Sequence, residues 1–209
     1  MKLNKFSGYK KNTINFFDKM ADNVHGDSFK HYNNVIGWLE RERGKELLDL
    51  GTGKGPLLEK ILDFFKKTEK KWNLYGIDIS PKMIEKALEK KLPAKFQVGD
   101  SENLPYTDST FDVITCINSF HHYENPKNAI KEIRRVLKSD GTLILGEIWL
   151  PSPLRKLINI FLPYGTTGDY RIYSRREITT LFSQEDMVVL EKKYVFPSNY
   201  TYLLRKITD

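Results

Sequence analysis

A single cysteine, Cys116, occurs in 209 residues. This excludes an internal disulfide, and with it a disulfide-stapled secreted scaffold; a reducing compartment is the expectation. Long apolar runs are missing too. The strongest candidate, TLILGEIWL, contains Glu147 and falls short of the roughly 18 residues that a membrane-crossing helix needs. The polar, lysine-rich N-terminus has no apolar core of signal-peptide length. Together these absences predict a cytoplasmic protein with no membrane insertion. Arginine-rich blocks are also absent. The formal charge is +7, yet lysines alternate with glutamates in KTEKK, EKALEKK and EKK, as on solvated helix faces. The charge therefore keeps nucleic acid open as a partner without favouring it. What remains is an ordinary globular composition, 40% hydrophobic and 29% charged, in a chain long enough for one sizeable domain.

From Lys45 onward, short apolar runs alternate with amphipathic stretches. ELLDL (46–50), WNLYGID (72–78), AKFQVGD (94–100), FDVITCIN (111–118) and TLILGEIW (142–149) read as strands. Between them, helical spacing joins Leu57, Leu58, Ile61, Leu62 and Phe65. It also joins Met83, Ile84, Ala87 and Leu88 behind the start signal Ser80–Pro81. A third set, Ala129, Ile130, Ile133, Val136 and Leu137, follows Asn125–Pro126, with Gly141 placed as the residue just past the helix end. Near the C-terminus DMVVLEKKYVF and YTYLLRKI are separated only by PSN, too little for a crossover helix, so they must form an antiparallel hairpin. The pattern predicts an α/β fold: a Rossmann-like, doubly wound sheet, mostly parallel, with an antiparallel C-terminal hairpin. The expected organisation is one domain over 1–209. It comprises an N-terminal helical cap (1–44), with Phe16, Phe17 and Met20 as apolar anchors, and a cofactor-binding core (45–149). A lid-like insertion (150–173) and a final helix with the hairpin (174–209) complete it.

The densest signal is DLGTGKG, Asp49 to Gly55, directly behind the first strand. In an open parallel sheet, ligands bind beyond the carboxyl ends of the strands where strand order reverses. Gly51 would allow a sharp turn, Gly53 close approach of a ligand to the backbone, and Gly55 tight helix–strand packing. The spacing G-x-G-x-G fits neither the dinucleotide fingerprint nor the phosphate-cradling P-loop. Three neighbouring strands end at or near acids: Asp49, Asp78 and Asp100. Such a rim disfavours a phosphorylated cofactor and suits a ligand carrying ammonium and sulfonium charges.

LLDLGTGKG, GIDISPKMIEKA, GDSENLPYTDSTFDVITC and EIRRVLKSDGTLILGE, in this order, resemble class I S-adenosylmethionine-dependent methyltransferases. The likeness is to the small single-domain members similar to the ubiquinone/menaquinone-biosynthesis methyltransferases, and it is close over about residues 40–150. The resemblance implies a seven-stranded sheet and S-adenosylmethionine as cofactor, with S-adenosylhomocysteine as product. It implies that Asp49, Gly51, Thr52 and Gly53 line the methionine part and that Gly55 supports the turn. Asp78 would bind the ribose hydroxyls, with Ile79 and Met83 against the adenine. Asp100 and Ser101 would face the adenine edge, and Asn118 would lie near the transferring methyl. N-terminal helices in such proteins often close over the cofactor; Tyr9, Phe16 and His25 match no family position.

Methyl transfer from a sulfonium needs alignment and water exclusion, and a base only where the acceptor must lose a proton. His121 and His122, after the fourth strand, are candidate bases, each with the alternative of a histidine that only hydrogen-bonds the backbone. No third ligand at motif spacing marks the pair as a metal site. Glu147 is a further acid/base candidate or a structural acceptor, and Trp149 a substrate wall or core. In the insertion, Tyr164, Asp169, Tyr170, Arg171 and Tyr173 either contact the acceptor or pack on the domain. The expected function is methyl transfer to a small-molecule acceptor. An RNA methyltransferase and a non-catalytic S-adenosylmethionine-binding module stand as alternatives, whereas a nicotinamide dehydrogenase conflicts with the glycine spacing.

Overall fold

The computed structural model describes residues 7–22, 29–68, 70–165 and 167–207; His25 lies outside them. Two helices, α1 (Gly8–Met20) and α2 (Phe29–Leu39), precede the sheet. There follow β1 (Glu46–Leu50), α3 (Pro56–Thr68), β2 (Asn73–Asp78), α4 (Pro81–Glu89), β3 (Ala94–Val98) and β4 (Phe111–Ile117). Next come α5 (Pro126–Val136), β5 (Leu137–Ile148), α6 (Ser152–Phe161), α7 (Arg175–Ser183), β6 (Met187–Val195) and β7 (Asn199–Lys206). The sheet order is β3-β2-β1-β4-β5-β7-β6. Strands β1 to β5 pair in parallel, and β7 runs antiparallel to both β5 and β6. The seven-stranded, mostly parallel sheet and its closing hairpin are thus as the sequence pattern predicts.

Side chains alternate between faces along each strand, so the central strands feed two cores. On one face Leu48, Leu50, Ile114 and Cys116 pack with Ile130 and Ile133 of α5 and Phe182 of α7. On the other, Leu47, Val113 and Ile144 pack with Trp38 of α2 and Leu58 and Ile61 of α3. Burying each such side chain stabilises the fold by about 1.5–3 kcal/mol, which is why the central strands are apolar on both faces. Helix α4 starts as the sequence indicates: the Ser80 hydroxyl accepts from the Met83 N–H, and Pro81 takes the first helical position.

Two local expectations are corrected, and the insertion holds a helix that the pattern did not announce. Helix α5 ends at Val136, and Leu137 already pairs with Phe111 at the start of β5. Gly141 is therefore inside a strand, where a Cβ would lie 2.7 Å from the Leu137 side chain; it permits close packing rather than ending a helix. Leu88 is 55% exposed, because the buried stripe of α4 is completed by Met83, Ile84 and Ala87. The 150–173 insertion contains a regular helix, α6, whose Leu154, Leu157, Ile160 and Phe161 are exposed.

The order of strands reverses between β1 and β4, because β2 and β3 lie on one side of β1 and β4 on the other. The crevice beyond the ends of these two strands is where such a sheet offers a binding site.

Candidate active site at the reversal point of the sheet

The loop after β1 is held by its own backbone. The N–H groups of Gly51 and Thr52 both donate to the Ile77 carbonyl, at 2.9 and 3.0 Å. Gly51 has φ +74°, and a Cβ there would lie 2.0 Å from the Ser119 hydroxyl oxygen. Gly53 has φ +53° and faces open space, with nothing within 4 Å of a Cβ position. At Gly55 a Cβ would press on Phe96 of β3 at 3.0 Å. Turn, open approach and tight packing thus fall on the three glycines in the order read from the sequence.

Two carboxylates brace this loop. Asp78 accepts from the Gly53 N–H at 2.8 Å and from the Ser80 N–H at 2.9 Å. Asp49 lies behind the loop, 2% exposed, and accepts from the hydroxyls of Thr52 and Thr115, both at 2.8 Å. Burial raises the pKa of each to about 6, against the lowering effect of these donors.

Beyond the loop lies a cavity of about 870 Å³. Its walls bring together Gly51, Thr52, Gly53, Asp78, Ile79, Met83, Asp100, Ser101, Asn118 and His122, ten residues that the sequence motifs single out. Asp49 and Gly55 support the loop from outside the lining. Helix α1 covers the opening and adds Lys10, Thr13 and Phe17, while α2 adds Tyr32. Lys10 bridges Asp100 at 2.8 Å and Glu102 at 2.7 Å. Asp18 accepts from the Ser80 hydroxyl at 2.5 Å, pinning α1 to the start of α4. Phe17 meets the His122 ring edge-to-face at 4.9 Å. No spacing rule announces these contacts; the apolar pair Phe16–Phe17 was the only trace of them in the sequence.

His121 and His122 are adjacent but occupy different surroundings. The Nδ1 of His121 lies 2.7 Å from Glu147, whose other oxygen accepts from the Phe120 N–H. On its far side, Nε2 lies 3.4 Å from Asp169. Burial alone would lower the His121 pKa, but the two carboxylates outweigh it and raise it to about 10. His121 is therefore a buried cation between two acids, and neither it nor Glu147 lines the cavity. His122 does line it. Its Nδ1 lies 2.6 Å from the Gly168 carbonyl, which fixes the proton on that nitrogen. Burial and the neighbouring His121 charge lower its pKa, so the ring is neutral. Asp169 also comes within 3.4 Å of the His122 Nδ1. A carboxylate 47 positions from His122 thus completes a His–His–Asp cluster that sequence spacing did not disclose. The ring nitrogens His121 Nδ1, His121 Nε2 and His122 Nδ1 already have protein partners, so the cluster is a closed network of ion pairs and hydrogen bonds.

The remaining candidates of the insertion face away from the cavity. Tyr173 is 5% exposed in the core, tilted against Phe120. Arg171 pairs with Glu177 at 2.5 Å. Tyr170 packs edge-to-face on Tyr9, and its N–H and that of Arg171 both bond the His121 carbonyl. Trp149 meets Tyr200 and the Arg175 guanidinium. Tyr164 is 88% exposed.

The donor set suits one group of ligands. Asp78, with both oxygens oriented by backbone N–H groups, offers its outer lone pairs to a diol. Ile79 and Met83 offer an apolar slot for a base, and the open side of Gly53 admits a chain against the main chain. Residues 48–145 match the family model described as a methyltransferase domain. Over 199 residues the chain is 28% identical to the demethylmenaquinone methyltransferase of Thermotoga maritima, covering 86% of this chain and 85% of that one. These likenesses make the chain similar to methyltransferases. Solved structures agree on the methyltransferase fold. One is a Haloferax volcanii protein solved as a complex with the Trm112 methyltransferase activator, with TM-score 0.76, 20% identity and 94% and 98% of the two chains covered. Another is a SAM-dependent methyltransferase of Aquifex aeolicus, with TM-score 0.70, 19% identity and coverage of 91% and 98%. Among the described residues no helix of this chain is long and apolar enough to cross a membrane.

Proposed function

We propose that this chain is a class I S-adenosylmethionine-dependent methyltransferase that acts on a small molecule held under α1, between Phe17, Tyr32, Ile117 and His122. The observation that carries this is the single cavity that runs from Asp78 and Asp100 to these apolar and aromatic walls, roofed by a helix that Lys10 and Asp18 tie down. A compact acceptor fits under such a roof, whereas a folded RNA would have to displace it. The cavity lining carries seven acids against five lysines, and three of those lysines are seen paired: Lys10 with Asp100 and Glu102, Lys86 with Asp22 and Glu89, Lys90 with Glu59. That leaves little concentrated charge for a phosphate backbone. The similarity to a demethylmenaquinone methyltransferase supports the same reading.

When bound, S-adenosylmethionine supplies a methyl group already activated by its sulfonium. The chain's own contribution is then placement and exclusion of water. Asp78 holds the ribose hydroxyls, Ile79 and Met83 flank the adenine, and the Gly51–Gly53 loop receives the methionine part. Asp100, already carrying Lys10, sits at the adenine edge with Ser101. His122, with its proton on Nδ1 facing Gly168, offers Nε2 to take a proton from the acceptor. His121 and Glu147 do not serve as base or acid; as a charged pair they hold the His122 segment and the Asp169 loop in place.

Methyl-labelled S-adenosylmethionine incubated with the protein and a cell extract tests this directly. The label is expected in the small-molecule fraction, and label recovered in RNA instead would overturn the acceptor class. His122→Phe is expected to cut incorporation about 10²-fold without changing affinity for S-adenosylhomocysteine. Unchanged incorporation would remove the base.

A further inference from the structure

Among the described residues five buried side-chain polar atoms have no hydrogen-bond partner, and two of them belong to neighbouring side chains: Nε2 of His31 and Oδ1 of Asn118. A buried polar atom left unpaired is costly, so a pair of them side by side calls for an account. His31 stands on α2 and is 0% exposed. Its Nδ1 lies 2.9 Å from the Thr201 hydroxyl on β7. The ring passes over Gly146 of β5, where a Cβ would lie 2.7 Å from Nδ1 and force the imidazole to shift.

The proton positions are assigned by donor counting. Among the described residues the Thr201 hydroxyl has two side-chain partners, Asn34 Nδ2 at 3.1 Å and His31 Nδ1. The Asn34 amide nitrogen can only donate; with His31 Nδ1 as acceptor, the hydroxyl's own hydrogen is also used, and we take that assignment. A neutral ring that accepts at Nδ1 carries its proton on Nε2. Burial favours the neutral ring and lowers its pKa, against the effects of Glu147, Asn199 and Asn118. Of the two amides beside the ring, that of Asn118 has the buried oxygen without a partner. A small turn of the Asn118 amide would bring Oδ1 onto Nε2–H, so that each orphan satisfies the other.

We propose that His31 is a positioning residue that sets the amide of Asn118 through the chain Asn34 to Thr201 to His31 to Asn118. With Oδ1 turned inward, Asn118 presents its Nδ2–H₂ group to the cavity it lines. Asn118 itself is held at φ +50°, with its N–H bonded to the Gly146 carbonyl at 2.7 Å. The side chain then acts as a fixed hydrogen-bond donor to an oxygen of the methyl acceptor, a carbonyl or an oxygen that gains negative charge as it is methylated. This rests on the reading that the acceptor lies on the Asn118–His122 side of the cavity.

Two-bond nitrogen–proton NMR of the imidazoles reads the relay in the wild-type protein without any acceptor. A neutral His31 with its proton on Nε2 is expected; a proton on Nδ1 would overturn the inference. In the labelled-methyl assay, His31→Leu is expected to lower incorporation about ten-fold or more with S-adenosylhomocysteine affinity unchanged. His31→Gln, whose amide can donate from the same side, should recover most of the loss. Unchanged incorporation in His31→Leu, or cofactor affinity falling in step with it, would overturn the inference. A wild-type protein that binds S-adenosylhomocysteine and labels no small molecule would instead count against the acceptor reading, and the imidazole spectrum would still decide on the relay.

Discussion

At Asp49 and Asp78, burial sets a pH dependence. Each has a pKa raised from 3.8 to about 6. A carboxylate with a raised pKa in the fold adds stability below its unfolded pKa and loses that contribution as pH rises through about 6. At neutral pH both are therefore ionised against the preference of their surroundings, and a ligand bringing diol donors relieves Asp78, which lines the cavity. Affinity for S-adenosylhomocysteine is accordingly expected to rise from pH 5 to pH 7 and then level off, as followed by calorimetry; a flat profile would contradict this. His121 has the opposite consequence for stability. Its pKa is raised to about 10 by Glu147 and Asp169, so the stabilisation it gives is complete below its unfolded pKa and is lost as pH rises through about 10. Glu147→Gln removes one partner of this buried cation and is expected to cost about 3–5 kcal/mol, read in urea denaturation at pH 7. The deficit relative to wild type should shrink above pH 10. Of these residues, the glycines and Asp78 were legible because strand ends and loop spacing fix them locally. Asp169 beside His121 and His122 was not, because that contact is made by the fold across a long stretch of chain with no periodicity to mark it.

At the level of elements, α1 is the part that moves the account from a generic cofactor crevice to an enclosed site. It holds to the core through Lys10 and Asp18, through the Tyr9 hydroxyl donating to the Gly168 carbonyl at 2.6 Å, and through few fully buried apolar side chains. Such an element opens more easily than the sheet. Replacing Lys10 and Asp18 together by alanine is expected to speed amide exchange over residues 8–20 and the dissociation of S-adenosylhomocysteine, with exchange in β1 and β4 unchanged. Unaltered exchange in α1 would show that these two side chains do not hold it. Element boundaries were legible where a cap marked them, as at Ser80–Pro81. They were not where the tertiary partner decides: the apolar period of α5 runs on through Leu137, but pairing with Phe111 claims that residue for β5. Helix α6 escaped notice because its prolines look like loop punctuation, although Pro153 occupies a first-turn position that a helix accepts.

For the molecule as a whole, the sheet order was legible in outline from alternation and from the short PSN link, which leaves no geometry but a hairpin. The identity of the central cavity's ligand came from several strand ends read together, since the glycine loop alone states only that something approaches the backbone. The methyl acceptor was not legible, because the walls proposed for it come from α1, α2 and the β4 end, three segments with no shared motif. All of this depends on the loop and Asp78 forming an adenosyl site, and calorimetry with S-adenosylhomocysteine tests that most directly. The wild-type protein is expected to bind it in preference to NAD, and Asp78→Ala to weaken binding by about 1.5–3 kcal/mol, as loss of a charged acceptor does. Equal affinity in the Asp78→Ala variant, or a preference of the wild type for NAD, would contradict the account.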